Sequence, residues 1–294
     1  MILSGIKIHS PQNVAEVFSL LEELKEARIL AGGTDLLVDI KQGLIKAEDI
    51  ISLLKIKELK GIEKEENRIR IGATATVQEI ISDPLVNQFI PALADTAKTM
   101  ASPQIRSVAT IGGNISSAVP SADLPPTLIA AESAVELQCS ESSRETPLSG
   151  FIQAPRETIC GKGELLTSIF IPMPPPHTGI AYQKFSLREA NALAVAAVAS
   201  RITLQDGKIT KASIVLGAVA PTPLIALKAS ESLLGNEPSS GLFEKASLIA
   251  KEEGKPISDI RGSAWHRKEL IEILTKRSLV EALRQAQGKS REET

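Results

Sequence analysis

Apolar residues recur with a helical period in several stretches of the first half of the chain. We interpret Ser10-Pro11 as a cap and first turn, because the apolar period over 14–24 predicts a helix that ends near Glu26. Thr76 and Glu79 have the spacing of a capping box, which predicts the start of a second helix. The same reasoning predicts further helices over 91–100 and 124–131.

Short apolar runs between these helices predict strands. Residues 61–73 read as a hairpin, since the return strand alternates apolar and polar residues and the tip at 65–67 is polar. The polar stretch 140–146 predicts an exposed turn, and 101–122 is a long segment of small residues with little periodicity, a type of segment that is usually functional. The remaining strands are predicted over 28–31, 49–54, 134–139 and 164–172.

The pattern changes after the proline-rich stretch Pro172–His177, where consecutive prolines predict a linker and a domain boundary. Gln205-Asp-Gly-Lys208 is a strong hairpin signal. Strands are predicted over 181–187, 193–204 and 209–219, and helices over 224–234, 242–253 and 264–286. In the last helix, the apolar positions that predict the buried stripe are Trp265, Leu270, Leu274 and Leu283.

Composition narrows the functional classes. The chain has 294 residues, 43% apolar and 23% charged, with a formal charge of −2, so it resembles an ordinary globular protein and lacks the basic excess of nucleic-acid binders. No apolar run reaches the roughly 20 residues of a membrane span, which predicts a cytoplasmic location. Cys139 and Cys160 do not form a Cys-x-x-Cys pair, so we expect neither an iron–sulfur cluster nor a metal site.

Two glycine pairs are the candidate functional motifs. Gly32-Gly33 lies between a predicted strand and a helix that Thr34-Asp35 would cap, an arrangement that suits a pyrophosphate. Gly112-Gly113 follows Thr110, precedes Asn114, and is followed by the carboxylate of Asp123. Neither pair has the spacing of a Rossmann site or a P-loop, and glycine pairs also occur in purely structural turns. The residues alone therefore predict two turns that could receive an anion.

In order and spacing, these motifs resemble the FAD-binding subunit of the xanthine dehydrogenase and carbon monoxide dehydrogenase family, the molybdenum hydroxylases. The resemblance extends over nearly the whole chain and implies an α+β fold. It implies a PCMH-type FAD-binding domain over 1–175, similar to that of vanillyl-alcohol oxidase, with subdomains of about 1–55 and 56–175. A C-terminal flavoprotein domain with a three-stranded antiparallel sheet and helices would follow over 176–288, and 289–294 would be a frayed tail.

The resemblance also implies which residues bind FAD. The glycines would let backbone N–H groups approach the phosphates, and Thr110 and Asn114 would add side-chain hydrogen bonds. Asp123 matches an anchor for the ribose or adenosine, although a helix cap is a compatible alternative. The residues that match the two pyrophosphate loops are Leu30, Ala31, Gly32, Gly33, Thr34, Asp35, Leu36, Leu37, Thr110, Ile111, Gly112, Gly113 and Asn114.

Two further positions match FAD contacts. Leu166 matches a site whose backbone lies near the isoalloxazine ring, and Lys184 matches a lysine that could favour the anionic reduced flavin. Without the resemblance, Lys184 reads as a solvated charge. Many relatives carry an aspartate where this chain reads Glu189-Ala-Asn-Ala192, and the extra cysteines that some relatives use for a second cluster are missing. FAD is therefore the only redox group expected, with no catalytic side chain.

The implied function is electron transfer within a complex. A large molybdopterin-containing subunit would oxidise the substrate, a [2Fe–2S] subunit would carry electrons to FAD, and NAD⁺ or another acceptor would receive them. Two alternatives remain open at this point: a stand-alone flavin-dependent reductase of the same fold, and a cofactor-free binding or scaffold protein. The substrate is not predicted, because the resemblance assigns it to another subunit.

Overall fold

The computed structural model describes residues 5–188 and 192–289, and the N-terminal part begins with a small parallel sheet. Asn13 caps the first helix by accepting a hydrogen bond from the Glu16 N–H, so the predicted cap at Ser10-Pro11 is wrong, and the helix ends at Glu23 rather than Glu26. The sheet order is β1-β3-β2. Its elements are β1 (Lys7–His9), α1 (Val14–Glu23), β2 (Arg28–Leu30), α2 (Leu36–Lys41) and β3 (Asp49–Ser52).

A five-stranded antiparallel sheet follows, in the order β4-β5-β10-β6-β7. Strand β7 overlaps the stretch 140–146 that was predicted to be an exposed turn. Its side chains are largely exposed, so its polar residues did not indicate a strand. The strands are β4 (Ile62–Lys64), β5 (Arg68–Gly72), β6 (Ala134–Gln138), β7 (Ser143–Pro147) and β10 (Leu165–Pro172), with a separate pair β8 (Ile152–Ala154) and β9 (Glu157–Thr158).

Six helices belong to this part of the fold within the described residues, and α4 and α7 contact strands of the second sheet. The capping box of Thr76 and Glu79 is confirmed, since both reciprocal hydrogen bonds form. The segment 101–122 contains two short helices that its composition did not predict, and Gly112-Gly113 lies in the second of them rather than in a turn. The helices are α3 (Val77–Ser82), α4 (Pro84–Phe89), α5 (Pro91–Lys98), α6 (Pro103–Arg106), α7 (Ile111–Ser116) and α8 (Leu124–Ala130).

The C-terminal part forms an antiparallel sheet covered by helices. The hairpin signal is confirmed, because Asp206 and Gly207 have φ values of 51° and 78° at the turn. A two-residue strand at the start of the predicted helix 224–234 makes the sheet four-stranded rather than three-stranded. The elements are β11 (Thr178–Ser186), β12 (Ala194–Gln205), β13 (Lys208–Gly217), β14 (Leu224–Ile225), α9 (Leu227–Glu231), α10 (Ser240–Glu253) and α11 (Ala264–Ala286).

Helix α11 has the predicted bounds but not all of the predicted core stripe. Leu270 and Leu274 are buried, whereas Trp265 is 70% exposed, so its assignment to the core is wrong. The position of Trp265 in the first turn, next to the exposed loop that precedes the helix, lets it point outward. Residues 290–294 of the predicted tail and Glu189, Ala190 and Asn191 lie outside the described residues.

The largest hydrophobic core extends across the proline-rich linker. Besides residues of α3–α8 and the five-stranded sheet, it includes Ile180, Ala199 and Val215 of the C-terminal sheet. Helix α8 lies at this junction, and all seven of its residues are buried. The two parts are therefore packed on each other, while the boundary near 175 stays a prediction. Over 5–188 and 192–289, no helix has the combination of length and apolar character that crossing a membrane requires.

Candidate functional site

A cavity of about 630 Å³ opens between the parallel sheet and the second sheet. Its size lies within the range of 300–1,000 Å³ that is usual for ligand sites. Three of the predicted residues do not line it, namely Leu37, Ile111 and Lys184. The predicted residues that do are Leu30, Ala31, Gly32, Gly33, Thr34, Asp35, Leu36, Thr110, Gly112, Gly113, Asn114, Asp123 and Leu166.

The loop between β2 and α2 presents free hydrogen-bond donors. Gly33 has a φ of +73°, a conformation that L side chains rarely adopt. A Cβ on Gly32 would lie 2.0 Å from the Val108 carbonyl oxygen, so this position also requires glycine. No described residue accepts a hydrogen bond from the backbone N–H groups of the four residues 32–35. Successive free N–H groups of this kind bind anions.

The second glycine pair is arranged differently. The Ile111 and Gly112 N–H groups donate to the carbonyl oxygens of Ala75 and Ala73, at 3.0 and 2.9 Å. The Gly113 N–H donates to the Thr110 hydroxyl at 3.1 Å, which caps α7. These donors already have acceptors within the chain, and their predicted approach to the phosphates stays a prediction.

Close packing explains why Gly112 is a glycine. A Cβ at this position would lie 2.6 Å from the Ala73 carbonyl oxygen, well inside contact distance. The helix therefore rests directly on the backbone that follows β5. The first pair allows the loop conformation and leaves its N–H groups without acceptors in the described structure, whereas the second brings a helix close to the sheet.

Asn114 of the second motif lines the cavity, and its side chain carries an unused polar group. Its Oδ1 atom is buried and has no hydrogen-bond partner in the described structure. Leaving a buried polar atom unpaired costs about 1–3 kcal/mol, so such an atom is usually explained by a ligand or water. Asn114 was predicted to contact FAD through its side chain, and its position in the cavity lining agrees with that role.

Asp123 lies at the junction with the C-terminal part. The Tyr182 hydroxyl donates to its carboxylate at 2.8 Å and the Lys184 ammonium does so at 3.0 Å. Burial raises the pKa of Asp123, and the charge of Lys184 followed by the hydrogen bond from Tyr182 opposes that rise. Asp123 occupies the position before α8, yet its side chain makes no cap hydrogen bond.

Lys184 supports Asp123 instead of lining the cavity. Its side chain is 6% exposed, and its ammonium also donates to the Thr99 carbonyl oxygen at 3.1 Å. The interpretation of Lys184 as a solvated charge is therefore wrong. A direct effect of Lys184 on a bound flavin stays a prediction.

Leu166 lies in the wall of the cavity. It is 5% exposed and sits in β10 where the pairing with β6 shifts register. A shift of this kind re-aims the backbone locally. The predicted contact between this backbone and the isoalloxazine ring stays a prediction.

Several lining residues were missed by sequence reasoning. Arg156 and Asp39 form an ion pair at the cavity, and no motif linked two residues so far apart. Cys160 also lines the cavity; burial raises the pKa of its thiol to about 11, so it is not a reactive thiolate. Glu164 pairs with Arg144, whose hydrogen bond lowers the pKa of that carboxyl to about 2.

These residues fit a dinucleotide such as FAD. The free N–H groups of 32–35 suit phosphate, and the Asn114 oxygen suits a hydroxyl or ring N–H donor. Apolar side chains supply surfaces for flat rings, which matches the low aromatic content of 3%. The apolar lining includes Ile29, Leu53, Ile105 and Leu165.

Family comparisons agree with this geometry. Residues 4–174 match the model described as the FAD binding domain in molybdopterin dehydrogenase, and 180–282 match the CO dehydrogenase flavoprotein C-terminal domain. The chain belongs to the FAD-binding subunits of the molybdopterin dehydrogenases. The predicted family, its FAD cofactor and its mixed α and β fold are thereby confirmed.

Individual members of this FAD-subunit family match along nearly their full length. The carbon monoxide dehydrogenase medium chain of Afipia carboxidovorans is 35% identical, with coverage of 98% of this chain and 100% of the relative. A putative xanthine dehydrogenase FAD-binding subunit of Escherichia coli is 32% identical over 96% of this chain and 97% of the relative. A carbon monoxide dehydrogenase structure from Hydrogenophaga pseudoflava matches with a TM-score of 0.93 and 33% identity, covering 96% and 98%.

Proposed function

We propose that this FAD subunit passes electrons from a [2Fe–2S] partner subunit to NAD⁺ or another acceptor, within a complex whose large subunit carries the molybdopterin. The observation that carries the proposal is one cavity lined both by residues 32–35, whose backbone N–H groups have no acceptor in the described structure, and by Asn114, whose side-chain oxygen is unpaired. When bound, FAD supplies the exchange between one-electron and two-electron carriers.

The chain's own residues bind and orient the cofactor. The loop 32–35 supplies phosphate donors, Asn114 supplies an acceptor, and Asp123 supplies a carboxylate held by Tyr182 and Lys184. Of the four carboxylates among the described residues that line the cavity, Asp39, Asp123 and Glu164 are each paired with a cation. This arrangement suits binding and orientation rather than acid–base chemistry by the protein.

The names of the relatives support a heteromeric complex. Two are medium chains of carbon monoxide dehydrogenases, and others are FAD-binding subunits of xanthine dehydrogenases. Each is one component of a larger enzyme by name. The [2Fe–2S] subunit, the large molybdopterin subunit, the NAD⁺ acceptor and the cytoplasmic location are part of our proposal for this chain.

The test begins with the purified chain supplied with FAD. We expect absorbance bands near about 370 and about 450 nm, a property of the oxidised cofactor. Mass spectrometry of a tagged chain isolated from its host should identify two co-purifying subunits, one of which binds [2Fe–2S] clusters. Reduced cluster subunit should then reduce the bound flavin, and NAD⁺ should reoxidise it.

Each failure has a separate meaning. Absence of bound flavin would contradict the FAD role and leave the cofactor-free scaffold. Flavin binding without partner subunits, together with reduction of a substrate by the isolated chain, would favour the stand-alone reductase. Flavin reoxidation by oxygen or a quinone but not by NAD⁺ would change only the proposed electron acceptor.

A further inference from the structure

An ion pair joins the two halves of the cavity. Arg156 lies in the turn between β8 and β9, and Asp39 lies in α2, 117 positions earlier in the chain. The Arg156 Nη1 atom lies 2.5 Å from Asp39 Oδ2, and Nη2 lies 3.4 Å from Oδ1. Both residues line the cavity. The pair is therefore a direct polar link between the parallel-sheet half and the second-sheet half.

Both ends of the link have a fixed backbone. Arg156 has a φ of +65°, and its N–H donates to the Ala118 carbonyl oxygen at 2.9 Å. The Asp39 side chain is 9% exposed, and its carbonyl oxygen accepts a hydrogen bond from the Leu44 N–H. Helix α2 follows the loop 32–35 directly, so holding Asp39 also holds the free donors of that loop.

The charge pattern gives the pair a second role. Arg156 is the single cation among the described residues that line the cavity, which also has the carboxylates of Asp35, Asp39, Asp123 and Glu164. An unpaired Asp39 carboxylate would repel the pyrophosphate of the cofactor. Pairing with Arg156 neutralises it on the side of the cavity where the phosphate donors lie.

We propose that Arg156 and Asp39 form a clasp between the two subdomains that positions loop 32–35 and slows the dissociation of FAD. They are positioning residues, because they act through the loop rather than on the reacting ring. The proposal rests on the proposed function, in which FAD occupies this cavity, and it assigns the retention of FAD to the Arg156–Asp39 pair.

The test measures the rate of FAD release from the whole chain, by the change in flavin fluorescence after dilution to a concentration at which released FAD does not rebind. Arg156→Gln and Asp39→Asn should each speed release about fivefold, the effect expected of a partly exposed ion pair. The double variant should release FAD no faster than either single variant, since the two changes remove one interaction. The charge swap Arg156→Asp with Asp39→Arg should restore part of the retention.

Salt provides an independent readout that a merely structural role would not move. Raising ionic strength from about 0.05 to about 0.5 M shortens the Debye length and should speed release from the native chain. The Arg156→Gln variant should lose most of that dependence. Glu145→Gln is the matched control, because it breaks an Arg68–Glu145 pair of 2.7 Å that lies away from the cavity.

Several results would overturn the clasp. Slower release from Asp39→Asn would mean that the freed Arg156 contacts the cofactor directly. Additive effects in the double variant, or unchanged release in both single variants while circular dichroism shows a native fold, would also overturn it. A native chain that binds no FAD would overturn the proposed function together with the clasp, whereas normal native binding confines the failure to the clasp.

Discussion

The two glycine pairs are identical in sequence but lie in different structural environments. Gly32-Gly33 lies in a loop whose backbone donors are free, while Gly112-Gly113 lies in a helix whose first donors are all used. The first segment offers backbone N–H groups to a ligand. The second segment, 110–123, offers the side chains of Asn114 and Asp123 instead. The same Gly-Gly dipeptide can therefore leave backbone N–H groups unpaired in one place and allow close packing of a helix in another.

Lys184→Met should have the largest effect on stability. The carboxylate of Asp123, in the second segment, is paired with the Lys184 ammonium, which belongs to the C-terminal part. The change leaves the buried Asp123 carboxylate without its cation, at a cost of about 3 kcal/mol in the free energy of unfolding at neutral pH. Urea unfolding of the apoprotein measures this cost. Lys98→Met, which removes one partner of an exposed pair with Asp95, should be close to neutral.

The same variant has a distinctive pH dependence. The pKa of Asp123 is raised above its ordinary value of 3.8, so the stability that this carboxyl contributes is present below pH 3.8 and is lost as pH rises through the folded-state pKa. Removing Lys184 raises that pKa further, so the loss should continue to higher pH than in the native chain. Parallel stability curves for the two proteins between pH 4 and neutrality would contradict the support of Asp123 by Lys184.

Gly112→Ala should come next and should act on the fold. The new Cβ would overlap the Ala73 backbone, which overpacks the junction of α7 and β5 and costs about 2 kcal/mol. Thermal or urea unfolding of the apoprotein measures the loss. Gly150→Ala is the control, since nothing lies within 4 Å of a Cβ at that position. A native-like apoprotein that had lost only FAD binding would show that Gly112 serves the ligand rather than packing.

Asn114→Leu should separate ligand binding from stability. The Asn114 oxygen has no partner in the described structure, so replacing it should not lower apoprotein stability. FAD affinity should fall about tenfold, the value of one good buried hydrogen bond. Asn87→Leu is the converse control, because its side chain donates to the Ile81 and Asp83 carbonyl oxygens at 2.9 and 2.8 Å. It should lower stability and leave FAD affinity unchanged; titration with FAD distinguishes the two.

Thr110→Ala should have the smallest effect, because it removes only the cap of α7. The expected loss is about 1 kcal/mol of unfolding free energy, with Thr110→Ser close to native. FAD affinity should change little beyond what the looser helix causes. A large drop in affinity with unchanged stability would mean that the Thr110 hydroxyl binds the cofactor, as the family resemblance implies.

Most local signals predicted local structure, although the cap predicted at Ser10-Pro11 is wrong. The capping box at Thr76, the hairpin turn at Asp206-Gly207 and the bounds of α11 all depend on neighbouring residues, and all are present. The helices of segment 101–122 were not predicted, because they are short and rich in small residues, which leave no periodic apolar pattern. Glycine is typical of turns because of its conformational freedom, whereas Gly112 is required by close contact with the backbone of Ala73, just after β5.

The candidate site was predicted only as far as its motifs extend. The loop 30–36, Asn114 and Asp123 were found because they belong to contiguous patterns, and their presence in one cavity agrees with the prediction. The pairing of Arg156 with Asp39 could not be predicted, because both are residue types common on surfaces and only the fold places them in contact. The support of Asp123 by Tyr182 and Lys184 likewise depends on the packing of two separate sheets.

Helix α8 has a consequence for the order in which the protein matures. It follows Asp123 directly, and its buried residues contact β12 and β13, which end at Gly217. During synthesis from the N-terminus, the chain therefore exposes an apolar helix beside its cofactor site until more than two-thirds of the residues have been made. We expect FAD to bind late, after the C-terminal sheet has been synthesised. Truncated products should bind chaperones rather than FAD.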